Sequence, residues 1–415
     1  MNHSNIRVNS QRLWKSLIDL SKIGATEKGG VCRVALTDRD REGRDLVTQW
    51  LRDAGMSVRI DQLGNIFGRR PGTSSSRAAV ATGSHIDTQP SGGKFDGNYG
   101  VLAGLEVVRV LNENNITTSL PVEICVWTNE EGSRFTPVMM GSGGWAGVHT
   151  LDALLQRKDI DGIGVGEELH RIGYAGAEPL GPTDQHPTYA RYFEAHIEQG
   201  PVLEASDKLI GVVTGALGTC WFDVEISGLD AHAGSTPMHL RRDALRAAAK
   251  LIDAVHEIGV SSSPESRGTV GSLRVIPNSR NTIPGKVNLT VDFRSENESG
   301  LSVMEDRLHS ETEKLEKILK VTINVTKVSE FKACEFDSEC IQIVEDAANL
   351  LQLSNMRLIS GAGHDAIHVA KVCPTSMIFI PCKDGISHNE IEEIKPVEAE
   401  AGANVLLHAI LKAAS

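Results

Sequence analysis

The chain has 415 residues, 40% hydrophobic and 23% charged, with 40 Gly and 15 Pro, which excludes a disordered, collagenous or fibrous protein. The length exceeds what one hydrophobic core usually serves, since domains cluster near roughly 100 to 200 residues, so two domains are expected. A formal charge of −12 argues against a phosphate-neutralising surface and favours small molecules over nucleic acid as partners.

In chain order, the first pattern predicts a helix around 11–20 with Leu13, Leu17 and Leu20 on one face. Thr37, with Asp40 three residues on, resembles a capping box for a second helix, Leu46, Val47, Trp50 and Leu51 form its buried stripe, and Gly55 ends it. Met56, Val58 and Ile60 then alternate with polar residues, and 78–82 is a short apolar run ending at Gly83. A helix over about 98–114 carries Val101, Leu105, Val108 and Leu111 inward, and 122–127 is the next strand. Strand, helix and strand at this spacing make a βαβ unit, which implies a mostly parallel sheet.

The middle changes character. Residues 209–226 read as one strand, and Thr236-Pro237 opens a helix to about 258 on Leu240, Leu245, Ala248, Leu251 and Val255. A strand follows over 268–276, then a half-buried one where Val287, Leu289, Val291 and Phe293 alternate with Asn288, Thr290, Asp292 and Arg294. A helix over 300–320 and a strand over 321–328 complete the order β-α-β-β-α-β, the ferredoxin-like arrangement. The α/β pattern then resumes with a helix over 338–353, a strand near 377–380 and a closing helix after Pro396, acids first and Lys412 last. The expected class is therefore α/β, a discontinuous domain (1–212 and 329–415) interrupted by a smaller α+β domain (213–328). Ser74-Ser75-Ser76 reads as a surface turn.

Seven scattered cysteines with no Cys-x-x-Cys predict reduced thiols rather than a disulfide framework or a zinc ribbon, with Cys125 and Cys373 packed in strands. The absence of an apolar signal-like stretch at the start, and of any run of about 18 apolar residues, predicts a cytoplasmic protein.

Three polar clusters sit where strands of the first domain should end: Gly83-Ser84-His85-Ile86-Asp87-Thr88, Gly93-Lys94-Phe95-Asp96-Gly97 and Thr128-Asn129-Glu130-Glu131-Gly132. Two histidine clusters come later, His196-Ile197-Glu198-Gln199-Gly200 and Ile386-Ser387-His388-Asn389-Glu390. Open α/β sheets bind ligands beyond the carboxyl ends of their strands, so these side chains can share a crevice. Singly each is weak, because a lone histidine after a strand is more often a hydrogen-bonded structural residue and paired glutamates are usually a solvated face. Together they lack a packing rationale, since each carboxylate would be costly to bury unpaired. Imidazole and carboxylate ligands without thiolate suit Zn²⁺, Mn²⁺ or Co²⁺, and their number exceeds the need of one tetrahedral ion, so two ions sharing a carboxylate is the natural reading.

Gly-Ser-His-Ile-Asp-Thr, Phe-Asp-Gly, Asn-Glu-Glu-Gly-Ser-Arg-Phe, His-Ile-Glu-Gln-Gly-Pro, Gly-Ala-Gly-His-Asp-Ala and Ile-Ser-His-Asn-Glu, in this order over about 80–390, resemble the hydantoinase/carbamoylase amidases of the M20 metallopeptidase-like group. The resemblance implies a dinuclear catalytic domain and a lid domain that also forms a homodimer. It places His85, Asp96 and His196 on one metal and Asp96, Glu131 and His388 on the other, Asp96 bridging. Glu130 matches the general base, and Asp87 is expected to accept the other N–H of His85. His232 matches an oxyanion-stabilising histidine supplied to the neighbouring active site, while Gln199, Asn281, Arg294 and His364 match positions that grip the substrate. The implied reaction is cleavage of the carbamoyl C–N bond of N-carbamoyl-L-amino acids or N-carbamoyl-β-alanine, to which Thr88-Gln89-Pro90 looks closer than to allantoate amidohydrolases. Allantoate hydrolysis is the alternative, and a non-catalytic ureido-acid binder or a cysteine hydrolase belongs to a different class.

Overall fold

The computed structural model describes residues 4–74 and 77–415, so Ser75 and Ser76 of the expected serine turn lie outside the described residues. The chain forms two compact units, one made of the residues up to Thr214 together with Phe336–Ser415, the other of Gly215–Glu335. These divisions fall beyond the expected ones at 212 and 328, because the last strand of the second unit, Thr322–Phe331, runs on past Val328.

The first unit is built on a mixed sheet with a parallel centre and antiparallel margins. Val122–Trp127, Val80–His85, Arg191–Ile197 and Thr375–Ile380 lie side by side and parallel. Ile66–Arg70 and Ser57–Ile60 extend one side antiparallel, and Ile210–Ala216 extends the other. Every residue of Val80–His85, Val122–Trp127 and Thr375–Ile380 is buried, as strands covered on both faces require. The helices Asn98–Glu113 and Pro396–Ala413 pack on these strands and on each other, with Ser10–Ser21 against both.

Local chemistry sets the helix starts. Asn9 accepts from the Arg12 N–H at 3.0 Å and Thr37 from the Asp40 N–H at 3.3 Å, each satisfying a first-turn donor that the helix itself cannot. Leu13, Leu17 and Leu20 are buried on their expected face.

The second unit is a four-stranded antiparallel sheet in the order Thr322–Phe331, Gly218–Ser227, Lys286–Ser295, Arg267–Ile276. The helices Ala244–Ser262 and Glu298–Leu319 cover one face, where Phe222, Val224, Ile226, Val287, Val291 and Phe293 pack on Leu251, Val255, Met304 and Leu308. Alternate residues of the two central strands, Gly218–Ser227 and Lys286–Ser295, supply this core, in the second of them the period-2 pattern read from the sequence.

Two expected elements are corrected. The single strand over 209–226 is two strands, Ile210–Ala216 and Gly218–Ser227, which belong to different sheets. A continuous apolar run hides such a crossing, since nothing in it marks a change of partner. The helix expected from Thr236-Pro237 begins instead at Ala244, where Asp243 accepts from the Arg246 N–H at 3.0 Å. Pro237 only precedes a short 3-10 turn, Met238–Leu240, and Leu240, expected inside, is 60% exposed.

Among the described residues no disulfide joins the cysteines, and Cys125 and Cys373 are buried. No described helix is long and apolar enough to cross a membrane.

Candidate active site

The parallel strands present polar side chains at their carboxyl ends. His85 closes Val80–His85, Glu130 and Glu131 follow Val122–Trp127, and His196 is next to last in Arg191–Ile197. Asp96 stands just before the helix Asn98–Glu113, and His388 lies on the loop after Thr375–Ile380. All six line one open cavity, which Gln199 and His364 also border.

Asp96 is its hub. Oδ1 lies 3.2 Å from His196 Nε2 and 3.7 Å from His85 Nε2, while Oδ2 lies 3.4 Å from His388 Nε2. His388 Nε2 is also 3.2 Å from Glu131 Oε2. Two donor groups result, His85 with Asp96 and His196, and Asp96 with Glu131 and His388, the donor atoms of each lying within 4.8 Å of one another. A third, Glu194 with His196 and His364, meets the same distance, but Glu194 already accepts from Ser84 Oγ, Tyr192 OH and the Ala366 N–H.

The remote ring nitrogens show what the cluster fits. His85 Nδ1 is 3.0 Å from the Asp87 carbonyl oxygen, and His196 Nδ1 is 2.9 Å from the Ile197 carbonyl oxygen. A carbonyl only accepts, so both Nδ1 atoms carry hydrogen, and in the neutral rings both Nε2 lone pairs turn toward Asp96. One backbone N–H, that of Gly97, reaches His196 Nε2 at 3.1 Å. Lone pairs aimed at a carboxylate repel it unless a cation lies among them, and this nitrogen and oxygen set without thiolate fits divalent metal ions.

The expected role of the Asp87 side chain is corrected by the same geometry. Its carboxylate is 3.9 Å from His85 Nδ1, too far for a hydrogen bond, and the residue's own carbonyl takes that place. The carboxylate instead accepts the backbone N–H groups of Glu130 at 3.2 Å and Glu131 at 3.3 Å, fixing the turn that carries both acids. Asn129, at φ 54°, starts that turn.

Glu130 belongs to neither donor group, yet its Oε2 is 3.5 Å from His85 Nε2. Burial, with the charges of Asp365, Glu131 and Asp87 adding to it, holds the Glu130 carboxyl well above the usual range despite His85. A carboxyl of raised proton affinity facing a cavity is suited to accept a proton. Against its burial, His196, His388 and His85 hold Asp96 well below its ordinary range. Gln199 donates to Asp96 Oδ2 at 2.8 Å and to Ser387 Oγ at 3.2 Å. His364 stands edge-on to His196, ring centroids 4.5 Å apart, with Nε2 3.0 Å from Ser360 Oγ, and burial keeps it well below the usual histidine range.

The family model described as Peptidase family M20/M25/M40 matches residues 81–412. The chain belongs to this family. It is 47% identical over 410 residues to the N-carbamoyl-L-amino-acid amidohydrolase of Rhizobium meliloti, covering 99% of this chain and 98% of that protein. It is 35% identical over 415 residues to the ureidoglycolate hydrolase of Arabidopsis thaliana, covering 97% and 86%. The crystal structure of a hydantoinase/carbamoylase family amidase from Burkholderia multivorans superposes with a TM-score of 0.96 at 51% identity, covering 99% of this chain and 98% of that one. The resemblance carried by the six motifs therefore holds for the whole M20 chain.

Three of the expected site residues of this M20 protein lie in its second unit. His232 and Asn281 meet there, because Ala231–His232 pairs antiparallel with Thr282–Ile283. His232 Nδ1 accepts the N–H groups of Gly234 at 3.0 Å and Ser235 at 3.2 Å, and its Nε2 is 3.4 Å from Asn281 Nδ2. Arg294 is half-buried and pairs with Asp292 at 3.0 Å.

Glu392, unmarked in the sequence, is a buried carboxyl that accepts from the N–H groups of Phe95 and Asp96. Its only signal is the acidic run Glu390-Ile391-Glu392-Glu393, in which nothing marks the buried member.

Proposed function

We propose that this chain is a metal-dependent amidohydrolase that cleaves the carbamoyl C–N bond of N-carbamoyl-L-amino acids or N-carbamoyl-β-alanine. One water is consumed, and amino acid, ammonia and carbon dioxide are released. The observation that carries this reading is the place of Glu130, free of both donor groups yet beside His85 at 3.5 Å. The name of the Rhizobium relative supports the substrate class.

Two divalent ions, zinc foremost with manganese or cobalt as the other candidates, held by His85, Asp96 and His196 and by Asp96, Glu131 and His388, would polarise the scissile carbonyl and lower the pKa of the attacking water. Glu130 takes the proton of that water and returns it to the leaving nitrogen. Asp87 keeps Glu130 and Glu131 on their diverging paths through its two backbone bonds. His232 has Nδ1 occupied by two backbone N–H groups, so its neutral ring carries hydrogen on Nε2, the donor that a developing oxyanion needs. In a homodimer this donor comes from His232 of the partner subunit. Arg294 supplies a guanidinium for the substrate carboxylate, with Gln199, Asn281 and His364 completing the grip.

A second reading, hydrolysis of a ureide such as allantoate, is favoured by the similarity to a ureidoglycolate hydrolase, and Arg294 would bind that carboxylate equally well. Ammonia release from N-carbamoyl-L-amino acids, N-carbamoyl-β-alanine and allantoate, after loading with Zn²⁺, Mn²⁺ or Co²⁺, separates the readings. The carbamoyl substrates should lead allantoate by about tenfold or more in kcat/KM, a difference of about 1.4 kcal/mol in transition-state binding. Faster allantoate turnover would move the assignment to ureides. Tight binding without ammonia release would make the protein a binder.

A further inference from the structure

Asp96 shares its two oxygens between two donor groups, so its rotation about the side-chain bond must be fixed. One buried residue holds it from both ends. Glu392 is 4% exposed. One of its oxygens, Oε1, accepts the backbone N–H of Phe95 at 2.8 Å and that of Asp96 itself at 3.1 Å. The other, Oε2, is 2.9 Å from Ser387 Oγ, which is also 2.9 Å from Asp96 Oδ2, so the one hydroxyl hydrogen of Ser387 is shared between the two carboxyl groups and holds them together. The chain around it is shaped for this carboxyl, since a Cβ on Gly93 would lie 2.0 Å from Glu392 Oε1. Ser387 also immediately precedes His388, so the same contact ties the loop that brings the third imidazole.

We infer that Glu392 is a positioning residue that clamps the bridging Asp96, through its backbone N–H on one side and through Ser387 and Oδ2 on the other, and so sets the site formed with Glu131 and His388. The inference rests on the two-ion reading above. It has a direction, because Ser387 reaches Oδ2, the oxygen that faces His388, whereas Oδ1 faces His85 and His196. Loss of the clamp should therefore weaken one ion far more than the other. A purely structural role would lower thermal stability and affect both alike.

The test is titration of the metal-free full-length protein with Co²⁺ alone, followed by calorimetry and visible absorption, for the native chain and for Glu392→Ala, Glu392→Gln and Ser387→Ala. The native chain should take up two ions, and native protein that binds none would remove the two-ion reading itself. Glu392→Ala should weaken one of the two by about 10- to 100-fold, the range seen when residues supporting a metal ligand are removed. Glu392→Gln keeps one oxygen for the two N–H groups and an amide for Ser387, and should stay within about threefold of native on the same scale. Ser387 is only half-buried, so Ser387→Ala keeps the test decisive even where Glu392→Ala does not fold. Two ions bound with native affinity by folded Glu392→Ala, or by Ser387→Ala where the former is unfolded, overturn the inference, as does equal weakening of both ions.

Discussion

Gln89 holds Glu131 from two directions, its backbone N–H donating to Oε1 at 3.2 Å and its side-chain amide to Oε2 at 2.7 Å. Glu131 Oε2 also faces His388 Nε2, so the amide sits behind a candidate ligand and orients it. The Thr88-Gln89-Pro90 segment, read from the sequence as a mark of substrate class, thus also touches a candidate metal ligand. Gln89→Leu keeps the backbone bond and loses the amide. It should lower kcat about 10-fold at limiting Mn²⁺, with rescue by excess Mn²⁺ and KM for N-carbamoyl-β-alanine within about threefold. Steady-state kinetics across a Mn²⁺ series measures this. A changed KM with kcat untouched would make Gln89 a substrate contact instead.

Glu130→Gln keeps the shape of the side chain and removes its capacity to take a proton. Because Glu130 lies outside both donor groups, metal content should stay native while kcat falls by about 10²- to 10⁴-fold, the range ascribed to a positioned acid and base. Metal analysis and ammonia release on the same preparation decide it, and near-native turnover in fully loaded protein would exclude Glu130 as the base.

What could be read in advance was what depends on neighbours in sequence. The Thr37 cap, the strand Val122–Trp127 and the alternation of Val287, Leu289, Val291 and Phe293 follow from spacing alone, and the structure contains them. The strand Arg191–Ile197, which carries His196, is hidden in the sequence because Arg191, Glu194 and His196 interrupt its apolar run. Glu194 is fully buried there because Ser84, Tyr192 and Ala366 donate to it, and two of these partners, Ser84 and Ala366, are remote in the chain. The residues that gather in the two donor groups are legible in the order of their motifs. The partner of His85 is not, since a choice between the Asp87 carbonyl at 3.0 Å and its carboxylate at 3.9 Å depends on backbone direction, which residue identity does not specify.

His368 offers a pH test away from the candidate metal ligands. It is buried, its Nδ1 has no hydrogen-bond partner among the described residues, and burial, followed by the charges of Lys371 and His149, pushes its pKa down to about 4. An unfolded histidine titrates near 6.5, so between these values the unfolded chain takes a proton that the folded chain refuses. Stability is fully present above about 6.5 and is lost as pH falls toward about 4, on the order of 3 kcal/mol for this one group. His368→Leu removes the titration and should narrow the gap between Tm at pH 7.5 and at pH 4.5 by several degrees. Differential scanning calorimetry measures both values, and a gap equal to the native one would show that His368 is not a source of acid sensitivity.

Gly97 and Gly55 provide a matched pair for testing whether His85 is held in place to bind metal. Both have positive φ, 66° and 78°, so alanine at either strains the backbone by about 1–3 kcal/mol. Their surroundings differ. A Cβ at Gly55 meets nothing within 4 Å, whereas one at Gly97 would lie 2.4 Å from Cε1 and Nε2 of His85. The ring cannot retreat without moving Nε2, and metal–ligand distances tolerate only about 0.2 Å. Gly55→Ala should therefore lose a few degrees of Tm and keep its metal and turnover, while Gly97→Ala loses at least one of two ions and its activity. Metal content by mass spectrometry beside Tm separates the two effects. If Gly97→Ala retained both ions and native turnover, His85 would lose its place among the ligands, and the group it forms with Asp96 and His196 would have to be read as a structural hydrogen-bond cluster.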